Sequence, residues 1–326
     1  MTPTLTLLTA LLLAPLAALH AADTDKSAYK TPPGKSYVYK QSGGKLQSLE
    51  VYFPANHDIA KRVPGILLFH GGGWSGGDLD QFRHACQYYA SRGLVAATAN
   101  YRTLSKAEDT KPDGVSQKML VCITDAKSAI RWIKLHAAEL GIDPNRLIVG
   151  GGSAGGHISI LATINPGLND PQDPPGIDTS VAAYVEFNPA IKEDTKTEGA
   201  DAPGDKRKAL IDSKTPPDAV PFGFATASMA PGIHFFGSGD GYRKGALELQ
   251  AKLATLGNHD LEIWFAPGQS HGFFNQPPWG DVTLAESDRW LVAHGFLTGQ
   301  TTLIPPASGE KLIKSDGTET STKGKK

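Results

Sequence analysis

The alternation of short apolar segments with helical patterns constrains the fold of this 326-residue chain more than any other feature. The apolar segments are rich in Val, Ile, Leu and Phe and end at or near Gly, Asn or Pro, as strands buried on both faces do. A hairpin of residues 36–39 and 46–53 comes first, and the later predicted strands cover residues 65–69, 94–99, 147–150, 181–187, 233–236 and 261–265. The predicted helices cover residues 81–92, 116–140, 154–164, 243–256 and 282–295. This order predicts an α/β fold with a mostly parallel central sheet flanked by helices.

Changes in composition divide the chain into segments. Residues 36–298 form the predicted domain, preceded by a lead-in over residues 23–35 that is rich in Lys and Pro. Residues 191–231 are rich in Lys, Asp, Pro and Gly and exceed an ordinary connection in length, which indicates a lid or a substrate loop. From residue 299 Pro, Ser, Thr, Gly and Lys dominate, so we expect a flexible tail over residues 299–326.

The first 22 residues resemble a signal peptide. They carry no charged side chain, and the apolar stretch Leu5–Leu19 is followed by the small residues Ala21 and Ala22. No Lys or Arg precedes the stretch and Pro15 interrupts it, which departs from the usual pattern. The stretch is shorter than the roughly 20 apolar residues that span a bilayer. We therefore expect a secreted or periplasmic protein without stable membrane insertion after cleavage of residues 1–22.

Charge and cysteine content exclude several classes of protein. The chain has 32 Lys and Arg against 33 Asp and Glu, a net charge of -1. Nucleic-acid binding depends largely on a basic surface, so no nucleic-acid partner is expected. Two cysteines rule out a disulfide scaffold or a cysteine-rich zinc module. Cys86 and Cys122 form either one bridge or two buried thiols, and the second interpretation is favoured because free cysteine is often buried.

The segment Gly151-Gly152-Ser153-Ala154-Gly155 matches the pattern GxSxG. It lies between a predicted strand and a predicted helix, where a serine at a sharp turn projects its hydroxyl above the sheet. Flanking glycines avoid the clashes that Cβ atoms would make in such a turn. A glycine-rich turn without a chemical role is the alternative, but the position between strand and helix favours Ser153 as a nucleophile.

A second motif, His70-Gly71-Gly72-Gly73-Trp74, directly follows a predicted strand and opens what we call the glycine loop, residues 70–77. Consecutive glycines leave several backbone N–H groups free to point at one spot, as an oxyanion hole requires. A phosphate-binding loop is the alternative, but neither a Gly-Lys-Ser/Thr ending nor GxGxxG spacing is present. The N–H of Ala154, next to Ser153, is a further candidate donor.

A serine nucleophile needs a base, and the base needs an acid that holds its tautomer. Among the histidines after Ser153, His271 is favoured because it lies in a loop just beyond a predicted strand. Asp240 follows another strand end and is the favoured acid. A surface-turn role remains the alternative for Asp240. The weaker candidates are His157, His234, His259 and His294 for the base and Glu186 and Asp260 for the acid.

With these motifs the chain resembles an α/β-hydrolase of the HGGG-type esterase group, which is similar to the hormone-sensitive-lipase group. The motifs HGGGW, GSAGG, Tyr101-Arg102 and SHGF are most similar to the acetyl-xylan and feruloyl esterase-like branch, and the resemblance spans roughly residues 36–298. The resemblance implies a sheet of about eight strands and a triad of Ser153, His271 and Asp240. It also implies an oxyanion hole formed by the N–H groups of Gly72, Gly73 and Ala154.

Other residues are assigned mainly structural roles. Asp125 is expected to pair with Arg102, and Asp78 to brace the glycine loop. Trp74 either lines the substrate pocket or only packs against neighbouring side chains. Asp170, Asp173 and Asp178 lie in one Pro-rich loop, for which a solvated acidic loop is favoured over a calcium site because no EF-hand spacing exists.

The predicted function is hydrolysis of short acyl esters, with acetyl or feruloyl groups on plant polysaccharide as candidate substrates. A small molecule or a polysaccharide would carry the ester, and neither a cofactor nor a metal is expected. A prolyl-oligopeptidase-type peptidase and a lipase are the alternatives among enzymes. A catalytically silent α/β-hydrolase used for binding is the alternative from another class.

Overall fold

The computed structural model describes residues 26–42, 44–112, 115–193 and 215–317. The strands are β1 (Lys35–Ser42), β2 (Lys45–Tyr52), β3 (Val63–Phe69), β4 (Val95–Ala99), β5 (Ile142–Gly152), β6 (Ala183–Phe187), β7 (Gly232–Gly237), β8 (Leu261–Ala266) and β9 (Ile313–Lys314). The helices are α1 (Asp80–Ser91), α2 (Lys118–Leu135), α3 (Ala137–Leu140), α4 (Ala154–Ile164), α5 (Arg243–Thr255) and α6 (Trp279–Ala293). The helix predicted over residues 116–140 is two helices, because the backbone leaves helical geometry at His136.

The sheet has nine strands in the order β1-β2-β4-β3-β5-β6-β7-β8-β9. Strands β3 to β8 are mutually parallel, whereas β1, β2 and β9 join the sheet antiparallel to their neighbours. The α/β fold with a mostly parallel sheet is therefore confirmed. Eight of the nine strands are those that the apolar pattern predicts.

The ninth strand corrects the prediction of a flexible tail over residues 299–326. Ile313 pairs with Phe265, and the N–H of Ser315 donates to the carbonyl of Ile263 at 2.7 Å. Without this segment, β8 would be an edge strand with unpaired backbone groups, which favour the addition of another strand. Residues 318–326 of the predicted tail lie outside the described residues.

Two apolar layers hold helices against the two faces of the sheet. One layer packs α2, α4 and α5 on the sheet and includes Ile123, Ile158 and Leu249, all buried. The other packs α1 and α6 and includes Phe82 and Leu291, also buried. Burial of these side chains on both faces explains why the central strands read as continuous apolar segments.

The predicted signal peptide, residues 1–22, lies outside the described residues, as does the middle of the predicted lid, residues 194–214. The described part of the lead-in contacts α1 and the loop before α6. The N–H of Ala28 donates to the carbonyl of Asn275 at 2.8 Å, and the ring of Tyr29 stacks on that of His84 with centroids 3.9 Å apart. Of the helices that the structure describes, none is long and apolar enough to cross a membrane.

Candidate active site

Ser153 lies at a tight turn between β5 and α4. Its φ of 52° is in the left-handed region, which a non-glycine residue adopts only at a cost in energy. A Cβ on Gly151 would lie 2.4 Å from the carbonyl oxygen of Phe69, and one on Gly155 would lie 2.0 Å from the same oxygen. The glycines of the GxSxG motif are therefore required by the close approach of β3. The turn holds the Ser153 side chain at the carboxyl edge of the parallel strands, where sites of open α/β sheets lie.

The three predicted triad residues meet at this edge. The Nε2 atom of His271 is 2.7 Å from the hydroxyl oxygen of Ser153, and its Nδ1 atom is 2.8 Å from a carboxylate oxygen of Asp240. The second carboxylate oxygen of Asp240 accepts the backbone N–H of Tyr242 at 2.9 Å. The Asp240 side chain is completely buried, whereas that of His271 is 29% exposed. Asp240 thus fixes a proton on Nδ1, which leaves Nε2 free to accept the serine proton.

The loops that carry Asp240 and His271 are hydrogen-bonded to each other. The N–H of Gly239 donates to the carbonyl of Gln269 at 2.8 Å, and the N–H of Gly268 donates to the hydroxyl of Ser238 at 2.9 Å. A Cβ on Gly237 would lie 2.3 Å from the carbonyl oxygen of Gln269, so the close approach of the two loops requires glycine there. This contact between loops sets the distance from acid to base.

The glycine loop lies beside Ser153. Gly72 and Gly73 have φ values of +114° and +60°, and a Cβ on Gly72 would lie 2.3 Å from the carbonyl oxygen of Gly76. No described residue accepts a hydrogen bond from the N–H of Gly72 or Gly73. Ala154 is the first residue of α4, where an N–H has no acceptor within the helix. The three donors predicted for the oxyanion hole are therefore available to a ligand.

Side chains from two other elements hold the start of the glycine loop. The N–H of Gly71 donates to the side-chain oxygen of Gln81 at 2.6 Å, and the hydroxyl of Tyr101 donates to the carbonyl of His70 at 2.7 Å. Asp78 was predicted to brace this loop, but its carboxylate instead accepts the N–H of Asp80 at 2.9 Å at the start of α1. Asp78 is exposed, whereas Gln81 and Tyr101, the side chains that do hold the start of the loop, are buried.

The other histidines and acids considered for the triad lie apart from it. Burial lowers the pKa of His157 to about 4 and that of His234 to about 3, so both rings are neutral. Glu186 is buried behind the turn, where its carboxyl accepts the hydroxyl of Ser159 at 2.6 Å and burial raises its pKa well above the usual value. His259 and Asp260 are exposed, and His294 contacts the carbonyl of Trp290.

A cavity of about 480 Å³ is lined by neighbours of Ser153 in the chain and in space, although no triad residue is part of its wall. Ala190, whose N–H donates to the Ser153 carbonyl at 2.9 Å, is part of its wall. The described part of the predicted lid supplies two short 3-10 turns, Pro217–Ala219 and Pro221–Gly223, which line the opposite wall. The apolar and aromatic part of the lining includes Trp74, Met119, Ala219 and Phe222. Trp74 therefore lines a cavity and is also packed, with 7% of its surface exposed.

The charged residues predicted to be structural form ion pairs. Arg102 donates to both carboxylate oxygens of Asp125, at 2.8 and 2.7 Å, as predicted. The three aspartates of the Pro-rich loop each pair with a cation: Asp170 with Lys40, Asp173 with Arg131 and Asp178 with Lys134.

Within the described ranges no group of three or more His, Cys, Asp or Glu side chains is arranged to hold a metal ion. Cys86 and Cys122 are both buried free thiols.

Sequence reasoning missed Gln81 and Asn188. The Asn188 side-chain oxygen accepts the N–H of Gly272 at 3.0 Å and so holds the loop that carries His271. Its position just after β6, at the carboxyl edge of the sheet, was the available signal. Gln81 lies in α1, where nothing in the sequence distinguishes it from other helix residues.

The fold and this site define an α/β-hydrolase of the esterase type. A family model described as BD-FAE matches residues 49–212. Esterase 2 of Thermogutta terrifontis, in its apo form, has 32% sequence identity and a TM-score of 0.71, over 83% of this chain and 98% of the esterase chain. Because the BD-FAE model matches half of the chain, the protein belongs to the BD-FAE family. Structures of the same esterase with propionate or butyrate bound, or phosphorylated by paraoxon, are also similar, with TM-scores of 0.72, 0.73 and 0.70.

Curated relatives from Mycobacterium tuberculosis carry esterase names. The probable carboxylic ester hydrolase LipM is 34% identical over 44% of this chain and 32% of its own length. Esterase LipI is 27% identical over 74% of this chain and 76% of its own length. The chain thus spans about a third of the first relatives that it matches, LipM and the carboxylesterase NlhH. The BD-FAE match ends before Asp240 and His271, so those two assignments depend on the geometry.

Proposed function

We propose that the protein is a secreted or periplasmic serine carboxylesterase that hydrolyses short acyl esters, with acetyl or feruloyl groups on plant polysaccharide as candidate substrates. One observation carries the proposal. The hydrogen-bonded series Ser153–His271–Asp240 ends next to the free N–H groups of Gly72 and Gly73. This combination supplies a nucleophile, a base and an anion site within one small volume.

In the first half of the reaction His271 accepts the hydroxyl proton at Nε2 while Ser153 Oγ attacks the ester carbonyl. The carbonyl oxygen gains negative charge and is stabilised by the N–H groups of Gly72, Gly73 and Ala154. Asp240 stabilises the imidazolium without taking up its proton. Collapse of the tetrahedral intermediate breaks the bond to the alcohol oxygen, which takes the proton from His271 and leaves an acyl-Ser153.

In the second half a water molecule attacks the acyl-enzyme, and His271 again accepts a proton at Nε2. The same three N–H groups stabilise the second tetrahedral intermediate, whose collapse releases the carboxylic acid and returns the proton to Ser153. These steps need only side chains and backbone groups of this chain.

The position of the cavity supports its use as the acyl site. The alcohol oxygen must lie close to His271 to receive its proton, so the acyl group points away from that ring. The cavity agrees with this requirement, because Trp74 of the glycine loop and Ala190, which donates to the Ser153 carbonyl, line it, whereas no triad side chain does. Short acyl chains are further supported by Thermogutta terrifontis esterase 2, whose structures hold propionate or butyrate. Export is supported by the resemblance of residues 1–22 to a signal peptide.

The test compares the wild type with Ser153→Ala on a panel of substrates: p-nitrophenyl esters of increasing chain length, acetylated xylan, methyl ferulate and a prolyl peptide. We expect turnover of short esters by the wild type and, in Ser153→Ala, a loss of about 10⁶-fold in kcat. Paraoxon should phosphorylate Ser153 in the wild type only, which mass spectrometry of the peptide that contains it will show.

Other outcomes would replace this proposal. Ester hydrolysis that persists in Ser153→Ala would refute the mechanism. A preference for long acyl chains would indicate a lipase, and cleavage of the prolyl peptide in preference to esters would indicate a peptidase. A folded wild type that hydrolyses no ester and does not react with paraoxon would indicate a binding protein.

A further inference from the structure

We propose that His157 is a positioning residue that holds the glycine loop through the indole of Trp74 and ties this loop to the cavity wall at Ala219. The inference rests on the proposed esterase function, since it assigns the donors of the glycine loop to the oxyanion. It concerns a histidine one helical turn beyond Ser153, whose backbone N–H donates to the Ser153 carbonyl at 3.1 Å and whose ring bonds to Trp74 and Ala219.

The hydrogen bonds around His157 fix the position of its ring proton. The indole N–H of Trp74 lies 3.2 Å from Nδ1 of His157, and the carbonyl oxygen of Ala219 lies 2.8 Å from Nε2. An indole N–H only donates and a carbonyl only accepts, so Nδ1 accepts and Nε2 carries the proton. One neutral tautomer therefore satisfies both bonds. The lowered pKa of His157, about 4 because of burial, agrees with a neutral ring.

Packing adds to these bonds. The rings of Trp74 and His157 meet edge to face, with centroids 5.3 Å apart and an interplanar angle of 83°. Both side chains are buried, with 7% and 3% of their surfaces exposed. A buried indole N–H that loses its acceptor is left unsatisfied at a cost in free energy, so we expect Trp74 to move if His157 is removed.

Two donors of the oxyanion hole, the N–H groups of Gly72 and Gly73, lie between two fixed points of the glycine loop. Gln81 and Tyr101 hold the loop before Gly72, and the bond from Trp74 to His157 holds it after Gly73. The backbone of Trp74 has a φ of 60°, which a residue with a side chain adopts only at a cost in energy. Without the second fixed point this strain can relax, and the N–H of Gly73 moves with it.

The same histidine reaches the wall of the acyl site. Ala219 ends the turn Pro217–Ala219, and the side chain of Asn165 also holds this turn by donating to the carbonyl of Asp218 at 2.9 Å. His157 belongs to α4, the helix that begins directly after Ser153. The buried side chain of His157 therefore connects the helix that follows the nucleophile to the glycine loop and to the cavity wall.

The experiment separates the two bonds of His157. His157→Asn places an amide near the position of Nδ1, which can still accept from Trp74, whereas His157→Gln places an amide near Nε2, which can donate to Ala219. His157→Ala supports neither bond, and Trp74→Phe removes the indole N–H together with part of the ring volume. For each variant kcat and KM are measured with p-nitrophenyl acetate and butyrate. The inhibition constant of a trifluoromethyl ketone reports binding of the oxyanion, and thermal melting reports folding.

We expect His157→Ala to lower kcat about tenfold or more with little change in KM, since a small misplacement of a donor has effects of this size. The affinity for the ketone should fall by a similar factor, because the ketone adduct resembles the transition state. His157→Asn should recover most of kcat and His157→Gln should not. Trp74→Phe should lower kcat less in His157→Ala than in the wild type, because the bond between the two side chains is already broken there.

His136→Ala is the matched control. His136 likewise packs on a tryptophan, with Nδ1 2.8 Å from the carbonyl oxygen of Trp132, but it is only half-buried and lies at the end of α2 away from the cavity. This variant should keep the wild-type kcat. Wild-type kcat in His157→Ala, or equal recovery by the Asn and Gln variants, would overturn the inference while leaving the proposed function intact if Ser153→Ala is inactive. Ester hydrolysis by Ser153→Ala would instead overturn the function itself.

Discussion

Two fully buried aspartates, Asp240 and Asp125, lie at the centre of two different networks. Each accepts one backbone N–H at 2.9 Å, from Tyr242 and Arg102 respectively, and neither side chain is exposed to solvent. Asp125 also pairs with the guanidinium of Arg102 and with the ammonium of Lys40, the latter at 2.7 Å. Asp240 pairs with the imidazole of His271.

The difference lies in the partner of each carboxylate. Arg102 and Lys40 only donate hydrogen bonds, so the Asp125 network ends at these two basic side chains and joins β1, the chain after β4 and α2. The partner of Asp240 is the imidazole of His271, which is partly exposed and contacts the hydroxyl of Ser153. A buried carboxylate therefore indicates a reactive site only where its network ends at a titratable group that solvent or substrate can reach.

The largest expected effect that tests this comparison is that of Asp240→Asn. An amide cannot enforce the proton on Nδ1 of His271, so the ring adopts the tautomer that cannot accept from Ser153. We expect kcat for p-nitrophenyl acetate to fall about 10⁴-fold, as it does when a triad aspartate is replaced. Activity assays together with thermal melting will check this. A variant that retains wild-type kcat would show that Asp240 is not the acid of the triad.

The matched change, Asp125→Asn, should act on stability instead. It leaves the positive charges of Arg102 and Lys40 facing a neutral amide in a buried site, which costs about 3 kcal/mol in the free energy of unfolding. The folded fraction should keep a kcat close to that of the wild type. Urea unfolding gives the free energy, and assays below the unfolding transition give kcat. A large loss of kcat without loss of stability would contradict the contrast between the two aspartates.

A smaller effect, on the pH dependence of stability, is expected from His234, which is fully buried, whereas His271 is partly exposed. Neither ring nitrogen of His234 has a partner among the described residues, and burial lowers its pKa to about 3. The unfolded chain therefore binds more protons than the folded one between about pH 6.5 and pH 3, so stability falls as the pH is lowered through this window. In His234→Leu this contribution is absent, and the fall should be smaller by up to about 1.4 kcal/mol per pH unit.

Urea unfolding of the wild type and His234→Leu at about pH 7 and pH 5 measures this difference within each protein, so that any packing defect of leucine cancels. The same fall in stability for both proteins would show that His234 does not titrate with folding. Turnover at neutral pH should remain, since His234 does not contact the triad.

Particular residues show how far the pattern of the sequence reaches. The apolar runs predict β3 to β8 because these strands are buried on both faces, and local glycine chemistry predicts the turn at Ser153. The contact of Gln81 with the glycine loop depends on the distance between α1 and β3, which no local pattern encodes. The pairing of residues 313–314 with β8 was missed for the same reason, since a two-residue edge strand has no periodicity to detect.

The sequence by itself determined the alternating α/β order, the nucleophile turn and the glycine loop, because each depends on neighbouring residues and on backbone conformations that few residue types adopt. Only the tertiary structure decided which histidine faces Ser153 and which aspartate faces that histidine. Those choices depend on strand order and on contacts between loops 31 and 118 residues apart in the chain. The tertiary structure also decided that His157, a weak candidate for the base, hydrogen-bonds to Trp74 and Ala219. The segments that carry these three residues meet only after the sheet and its helices have packed.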